Sequence, residues 1–186
     1  MSYEISVHLR DLEDEIIPMW IEEMKKFNMD LEIHPDFSFE SHSGFLPFKI
    51  IVYDCPNRRL NNIELMSGFE LWINDYAHPT VKRAFWTSLF SNNKEEKSNL
   101  FEKKLKESKK ELIFKASTQD SFEYRLAWYA AASLSFICNG LLTDLYQGNQ
   151  IDSQQVIRHA YDQVISDENS IPEEEWRIHE FKEWLG

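Results

Sequence analysis

Short stretches in which apolar and polar residues alternate predict the strands of this chain. Residues 3–9 carry apolar side chains at every second position and polar side chains between most of them, which is the pattern of a strand with one buried face. The same kind of pattern predicts strands over residues 29–35, 44–54 and 111–118. Because Pro47 has no backbone N–H, we expect the beginning of residues 44–54 to lie at a sheet edge or a bulge.

A further strand is predicted over residues 61–75, but its pattern is interrupted. Apolar side chains alternate on both sides of the pair Ser67-Gly68. A glycine inside a strand often marks a bulge, and a Ser-Gly pair is a common turn signal. We therefore expect a broken strand here, either bulged or folded into a hairpin.

Apolar residues at intervals of three and four predict the helices. The first is expected to begin near residue 15, because Pro18 is tolerated only in a first turn. Its apolar stripe consists of Ile16, Trp20, Met24 and Phe27. Similar spacing predicts helices over residues 78–90, with Val81, Phe85 and Leu89, and over residues 153–165.

The most apolar segment lies in the second half of the chain. Asp120 and Glu123 have capping-box spacing, and Gly140 suits the end of a helix. Between residues 126 and 138 the helix is apolar nearly all round, which predicts a buried helix. Residues 140–150 are expected to form a short extended piece and a turn.

Two charged segments are also predicted to be helical. Residues 91–110 interleave lysines with glutamates at spacings that favour a solvated helix face, so this segment is a candidate exposed insertion. Residues 167–186 are predicted to form an acidic C-terminal helix. Together these elements predict a single α+β domain over residues 1–186, with a mostly antiparallel or mixed sheet packed with helices.

Composition narrows the classes of function. The 186 residues are 42% hydrophobic and 14% aromatic, which is enough for a folded core, and the net charge is −12. A strong negative charge disfavours nucleic acid and anionic membranes as partners, and it fits a basic protein partner or simply a soluble acidic protein. No run of about 18 apolar residues predicts a membrane span, and the first residues do not resemble a signal peptide, so we expect a cytoplasmic protein. Cys55 and Cys138 are expected to be free thiols.

The stretch from residue 34 to residue 42 gathers groups that could ligate a metal or catalyse a reaction. It contains His34, Asp36, Glu40 and His42. A metal site needs three or four ligands in fixed geometry, and the remaining histidines are scattered without a recognised spacing. We therefore favour a loop that leads into a strand, and we expect no metal, no cofactor and no catalytic residue. An alternative is a small hydrolase or transferase that uses Asp36, His42 or Cys55.

Acidic and aromatic residues near the C-terminus provide candidate partner contacts. Carboxylates steer the approach of a basic protein, and aromatic anchors hold the complex once it has formed. The candidate contact residues are Asp36, Glu40, Glu173, Glu174, Glu175, Trp176, Glu180 and Trp184. The alternative is that Trp176 and Trp184 pack on the domain itself.

Two stretches carry a family resemblance. "HPDFSFESHSGFLPFKI", residues 34–50, and "RLAWYAAASLSFICNGLLTDLYQG", residues 125–148, resemble bacterial proteins that look like the immunity proteins of polymorphic or contact-dependent-inhibition toxin systems. The resemblance covers about a quarter of the chain and includes no catalytic motif. It implies a single-domain, cytoplasmic, often acidic protein that binds a toxin domain and occludes its active site.

The resemblance and the charge together favour a non-catalytic immunity protein whose partner is a basic toxin domain. A nuclease is one candidate for that toxin. In that hypothesis carboxylates take the place of the phosphates that a nuclease cleft would hold. Besides the enzyme alternative, an acidic secretion chaperone or adaptor stays open, and it would predict a stable homodimer. The sequence leaves the oligomeric state open.

Overall fold

The computed structural model describes residues 2–78, 92–117 and 119–184. Its sheet contains eight strands, and every pairing among the described strands is antiparallel. The strands are β1 (Tyr3–Leu9), β2 (Met29–Ile33), β3 (Gly44–Val52), β4 (Glu64–Asp75), β5 (Lys110–Ala116), β6 (Leu141–Asp144), β7 (Asn149–Asp152) and β8 (His179–Glu180). They follow the order β2-β3-β4-β5-β1-β6-β7, with β8 added beside β4.

In the described part of the chain, four α-helices accompany the sheet. They are α1 (Ile17–Lys25), α2 (Asn92–Glu107), α3 (Glu123–Ile137) and α4 (Val156–Glu168). Helix α3 lies against the central strands β1, β4 and β5, and both α1 and α4 pack against α3. The prediction of a single α+β domain with a mostly antiparallel sheet is therefore confirmed.

The core fills the space between α3 and one face of the sheet. Alternate residues of β1, β3, β4 and β5 point into it, as period-two patterning requires. Helix α3 is buried nearly all round, as predicted, because helices pack against its flanks and the sheet lies beneath it. The opposite face of the sheet carries charged pairs across neighbouring strands, such as Lys115 with Glu70 (Nζ to Oε2, 3.4 Å).

The predicted interruption at Ser67-Gly68 is wrong, because β4 is continuous and keeps one register against β3. Gly68 is present for a different reason, which is the close approach of the neighbouring strand. A Cβ atom at this position would lie 2.2 Å from the carbonyl oxygen of Leu46. The expectation for Pro47 holds, because β2 ends opposite Phe48 and Pro47 pairs only with β4.

The end of α3 leads directly into a hairpin of β6 and β7. Asn139 adopts the left-handed conformation (φ 50°), and the N–H of Gly140 donates to the carbonyl of Ser135 (2.7 Å), which closes the helix. A Cβ at Gly140 would lie 2.8 Å from the carbonyl oxygen of His8 in β1. The extended piece predicted for residues 140–150 is thus a strand pair.

The predicted acidic C-terminal helix over residues 167–186 is wrong. Helix α4 ends at Glu168, a single 3-10 turn covers Glu173–Glu175, and the chain then runs extended into β8. Pro172 interrupts any helix that would continue from α4. The extended run is fixed by long-range backbone pairing, because Ser121 and Arg177 are hydrogen-bonded and β8 pairs with β4.

Two predicted helices have different outcomes. The helix predicted over residues 78–90 lies almost wholly outside the described residues. The charged segment 91–110 does contain a helix, α2. Lys104 of α2 is directed at the end of α3 and the β7 region, where its Nζ atom reaches the carbonyl oxygen of Gly140 (3.0 Å) and Oδ2 of Asp152 (3.0 Å).

Candidate functional site

The loop after β2 is held against the 3-10 turn Asp14–Ile16, which directly precedes α1. The N–H of Phe39 donates to Oδ1 of Asp14 (2.7 Å), and the Phe39 ring packs near Trp20 in the core. The N–H of Asp36 donates to Nδ1 of His34 (3.2 Å). With its aromatic residues directed inward, the loop leaves the carboxylates of Asp36 and Glu40 exposed.

The histidines of this loop take part in local contacts. Nε2 of His42 lies 3.2 Å from the carbonyl oxygen of Gly44, and its ring contacts Phe37. Burial lowers the pKa of His42, against the opposing effect of Gly44. Among residues 2–78, 92–117 and 119–184, no group of three His, Cys, Asp or Glu side chains is placed to hold a metal ion.

An acidic groove lies between this loop and the beginning of α1. Its carboxylates are Glu13, Asp14, Glu15 and Glu40, and the groove encloses about 470 Å³. The basic residue among its described lining is Lys110, whose Nζ atom is paired with Asp75 (2.7 Å). We call this depression with its four carboxylates the acidic groove. Its negative charges outnumber its positive charges, which favours a cationic partner.

The C-terminal segment, residues 169–184, follows α4, and its first half lies against the core. Glu173 pairs with Arg59 (Oε1 to Nε, 3.2 Å) in an exposed ion pair. The ring of Trp176 packs on Phe122, with ring centroids 5.4 Å apart, and Trp176 is partly buried. The alternative interpretation of Trp176, as a residue that packs on the domain, thus fits its observed contacts.

The second half of the C-terminal segment returns to the loop after β2. Following β8, the ring of Phe181 lies over the ammonium group of Lys49 (5.6 Å to the centroid). The rings of Trp184 and His34 meet edge to face, with centroids 5.5 Å apart. Two stretches that are separated by about 150 positions are therefore neighbours on the surface.

The structure divides the candidate contact residues into two groups. Asp36 and Trp184 both contact His34, and Glu40 lies in the acidic groove at the other end of the same loop. Glu180 lies on β8 next to β4. Glu173, Glu174, Glu175 and Trp176 lie at the opposite end of the C-terminal segment, near Arg59 and the core.

A separate pocket lies where the C-terminal segment passes the ends of β1 and β5. It has a volume of about 440 Å³, which is within the usual range for small-molecule sites. Its described lining includes three tyrosines, three carboxylates and one guanidinium. These residues are Tyr3, Tyr124, Tyr146, Asp120, Asp167, Glu175 and Arg177.

We call this cavity the tyrosine pocket. Asp120 is its most buried carboxylate. Its residue is only 4% exposed, and Oδ1 accepts hydrogen bonds from the hydroxyl of Ser67 and the N–H of Phe122, both at 2.8 Å. Oδ2 is buried and has no hydrogen-bond partner among the described residues. Burial raises the pKa of Asp120, and the bond from Ser67 opposes that effect. Burial also raises the pKa of Asp167.

A buried ion pair positions the helices that carry this pocket. Arg125 of α3 is fully buried and donates from Nε and Nη2 to the two carboxylate oxygens of Glu168 (2.6 and 2.7 Å). Its Nη1 also donates to Oδ1 of Asp54 (2.9 Å). Glu168 directly follows Asp167, so the pair holds the end of α4 beside the pocket. The sequence analysis missed this buried ion pair. The signal for it was Arg125 within an otherwise apolar helix, because a buried arginine needs an acidic partner.

The contacts of Cys55 give no support to a site that combines it with Asp36 and His42. Cys55 is buried, and its backbone is hydrogen-bonded in both directions with the side chain of Asn61. Burial raises the pKa of the Cys55 thiol to about 11, so the reactive thiolate is disfavoured at neutral pH. Asp36 and His42 lie in the loop after β2, with the contacts already described.

A Ser–Glu–His cluster on the sheet is arranged differently from a nucleophile and its base. The hydroxyl of Ser6 donates to Oε1 of Glu111 (2.9 Å), and Nε2 of His8 lies 3.5 Å from the same oxygen. A catalytic serine would instead donate to the histidine. Burial lowers the pKa of His8, against the attraction of Glu111. The cluster ties β1 to β5 across the sheet.

Comparison with protein-family models, curated proteins and solved structures finds no match to this chain. Within the described residues, none of the helices combines the length and the apolar character that crossing a lipid bilayer requires. The function of the acidic groove, the loop after β2 and the C-terminal segment therefore has to be inferred from the chemistry of their residues.

Proposed function

We propose that this protein is a non-catalytic immunity protein that binds a basic toxin domain and neutralises it by covering the active site. The contact surface in this proposal consists of the acidic groove, the loop after β2 and the end of the C-terminal segment. The observation that carries it is the contact between His34 and Trp184, which makes one surface of two acidic stretches that are distant in the chain.

Charge supports the choice of a basic partner. The chain carries 32 acidic against 20 basic residues, and the acidic groove contributes four carboxylates within one depression. Complementary charge accelerates association and suppresses wrong partners more than it adds affinity. The carboxylates would occupy the positions that substrate phosphates take in a nuclease cleft.

Aromatic side chains supply the second requirement of such a surface. Trp184 and Phe181 lie edge to face, with ring centroids 5.3 Å apart, and both are only partly buried. Tryptophan at the centre of an interface is a frequent source of binding energy, because its large ring is desolvated when the partner covers it. Trp184 is therefore the anchor residue in this proposal, and Trp176 belongs to the core.

The first experiment identifies the partner. The tagged protein is purified from its native host at low salt, and proteins that accompany it in near-stoichiometric amounts are identified by mass spectrometry. Each is then expressed alone and with this chain in a host cell. The proposal requires that a basic partner stops growth when expressed alone and that growth recovers when this chain is present.

A matched pair of variants then tests the surface. The first variant removes three of the four groove carboxylates and carries Glu13→Gln, Glu15→Gln and Glu40→Gln. Asp14 is kept, because its Oδ1 accepts the hydrogen bond from the N–H of Phe39. The control removes three exposed carboxylates outside it and carries Glu22→Gln, Glu107→Gln and Asp162→Asn. Both variants change the net charge by the same amount, so a general loss of negative charge affects them equally.

The groove variant should associate at least about tenfold more slowly at low salt, while the control should stay within about threefold of the parent protein. Trp184→Ala should increase the dissociation rate. Equal behaviour of the groove variant and the control would refute this choice of surface. A partner that is acidic, or that causes no toxicity, would refute the immunity proposal itself.

A further inference from the structure

The tyrosine pocket is a separate site from the proposed contact surface. It lies at the opposite end of the C-terminal segment from Trp184, between that segment and the ends of β1, β5, α3 and α4. Its volume of about 440 Å³ accommodates a small organic molecule or one long side chain. Its lining combines aromatic rings with carboxylates, and each of these two features limits the chemical class of ligand that can bind.

The aromatic side of the pocket consists of three tyrosine rings. Tyr3 meets Tyr124 edge to face with ring centroids 5.0 Å apart, and its ring centroid lies 5.9 Å from that of Tyr146. Tyr146 is 73% exposed, so its ring stands at the mouth of the pocket. Electron-rich rings around an opening attract a cation over their faces.

The charged side of the pocket is negative. Asp120, Asp167 and Glu175 face one guanidinium, that of Arg177, so three carboxylates oppose one base among the described lining residues. Asp144 adds a further buried carboxylate close to the Tyr3 and Tyr124 hydroxyls. Burial is the main cause that raises the pKa of both tyrosines, and Asp144 adds to that rise. An anionic ligand would be repelled by this arrangement.

Asp120, which lines the pocket, has a buried carboxylate oxygen, Oδ2, without a hydrogen-bond partner among the described residues. The hydroxyl of Tyr3 is instead close to Asp144. An unsatisfied buried acceptor costs free energy, and a donor on a ligand would remove that cost. Ammonium and guanidinium groups are donors with no acceptor, which matches a carboxylate oxygen without a partner.

We infer that the tyrosine pocket binds an organic cation, namely an alkylammonium or alkylguanidinium group on an apolar stem. The cationic head lies near Asp120 and Asp167, and the stem lies along the rings of Tyr3, Tyr124 and Tyr146. The same chemistry is presented by a free amine and by a lysine or arginine side chain of a protein. The inference is independent of the proposed function, since it requires neither a toxin nor the acidic groove.

The test measures binding by isothermal titration calorimetry and by shifts of tyrosine signals in NMR. The probes are pentylammonium and pentylguanidinium as cations, 1-pentanol as a neutral molecule and pentanoate as an anion. The cations should bind at least about tenfold more tightly than the alcohol or the acid. Equal binding of cation and alcohol, or no binding of the cations at millimolar concentration, would overturn the inference.

Matched variants locate the binding. Tyr146→Leu removes a ring at the mouth, and Tyr161→Leu removes an exposed tyrosine of α4 outside the pocket. Asp167→Asn removes a pocket carboxylate, and Asp162→Asn is its control on the same helix. Each pocket variant should weaken cation binding about fivefold, and each control should leave it unchanged. Indistinguishable effects of variant and control would place the binding elsewhere and overturn the inference.

A further pair of probes distinguishes the two sources of the cation. Acetyl-arginine amide and acetyl-lysine amide carry the same heads on a peptide backbone. If they bind as tightly as the free amines, the pocket accepts a side chain of a protein. If only the free amines bind, the ligand is a small molecule. The growth-rescue experiment with the toxin uses the acidic groove, so its failure would leave these binding results unaffected.

Discussion

Replacing Arg125 by methionine should strongly destabilise the protein. Arg125 is fully buried, and it provides two hydrogen bonds to Glu168, which is itself only 1% exposed. The substitution leaves a carboxylate in the core without its counter-charge. Removing one member of a buried ion pair costs about 3–5 kcal/mol. For a chain of this length that loss corresponds to a decrease in melting temperature of roughly 6–20 °C.

The pH dependence gives this prediction a second, independent signature. Burial raises the pKa of Glu168, and Arg125 opposes that rise. A carboxyl group with a raised folded-state pKa contributes stability that is present below its unfolded pKa and is lost as the pH rises through the folded value. Arg125→Met removes the opposing effect, so the stability lost relative to the parent should be larger at pH 7.5 than at pH 4.5.

The assay is urea denaturation followed by circular dichroism at both pH values. Arg158→Met is the matched control, because Arg158 is an exposed arginine of α4 that pairs with Asp162 at the surface. Its effect on stability should be small at either pH. The double variant Arg125→Met with Glu168→Leu should recover much of the loss, since it removes the unpaired charge. A loss below about 1 kcal/mol for Arg125→Met alone at pH 7.5 would refute the reasoning.

Three further changes test other parts of the structure. Gly68→Ala should lower stability by about 1–3 kcal/mol in urea denaturation, because its Cβ would meet the carbonyl of Leu46. Trp176→Ala should cost about 2 kcal/mol in the same assay, whereas Trp184→Ala should change stability by less than about 0.5 kcal/mol; equal costs would contradict their assignment to core and surface. Cys55, whose pKa burial raises to about 11, should react with iodoacetamide at pH 7.5 far more slowly in the folded protein than after unfolding.

The sequence predicts β5 well, because its apolar and polar residues alternate together with burial. For β1 the strand itself is predicted correctly, but the expectation of a single buried face is wrong. Ser6 and His8 point away from the core and are buried as well, next to Glu111 of β5.

In β4 the core-facing residues Leu65, Phe69 and Leu71 keep one phase, and the polar Ser67 occupies the core-facing position between them, where its hydroxyl donates to Asp120. The apolar pattern is therefore interrupted, although the strand is not. Only the neighbouring strand, with the carbonyl of Leu46, shows that Gly68 is needed for close packing.

The C-terminal segment shows the limit of reasoning from periodicity. The apolar residues Trp176, Ile178 and Phe181 fit both a helix and an extended chain, because their spacings of two and three residues are ambiguous. Backbone pairing of Arg177 with Ser121 decides between the two. That pairing joins residues 56 positions apart, so no local pattern could predict it.

The extended C-terminal segment also explains how one short stretch can serve two sites. In an extended chain, neighbouring side chains point in opposite directions. Trp176 and Ile178 therefore pack on the core, while Glu175 and Arg177 line the tyrosine pocket. Beyond β8 the same chain carries Trp184 to the loop after β2. A helix rises about 1.5 Å per residue and an extended chain about 3.3 Å, so a helix over these residues would place Glu175 and Trp184 less than half as far apart. The extended course is thus what allows the acidic residues of this segment to contribute to both proposed binding sites.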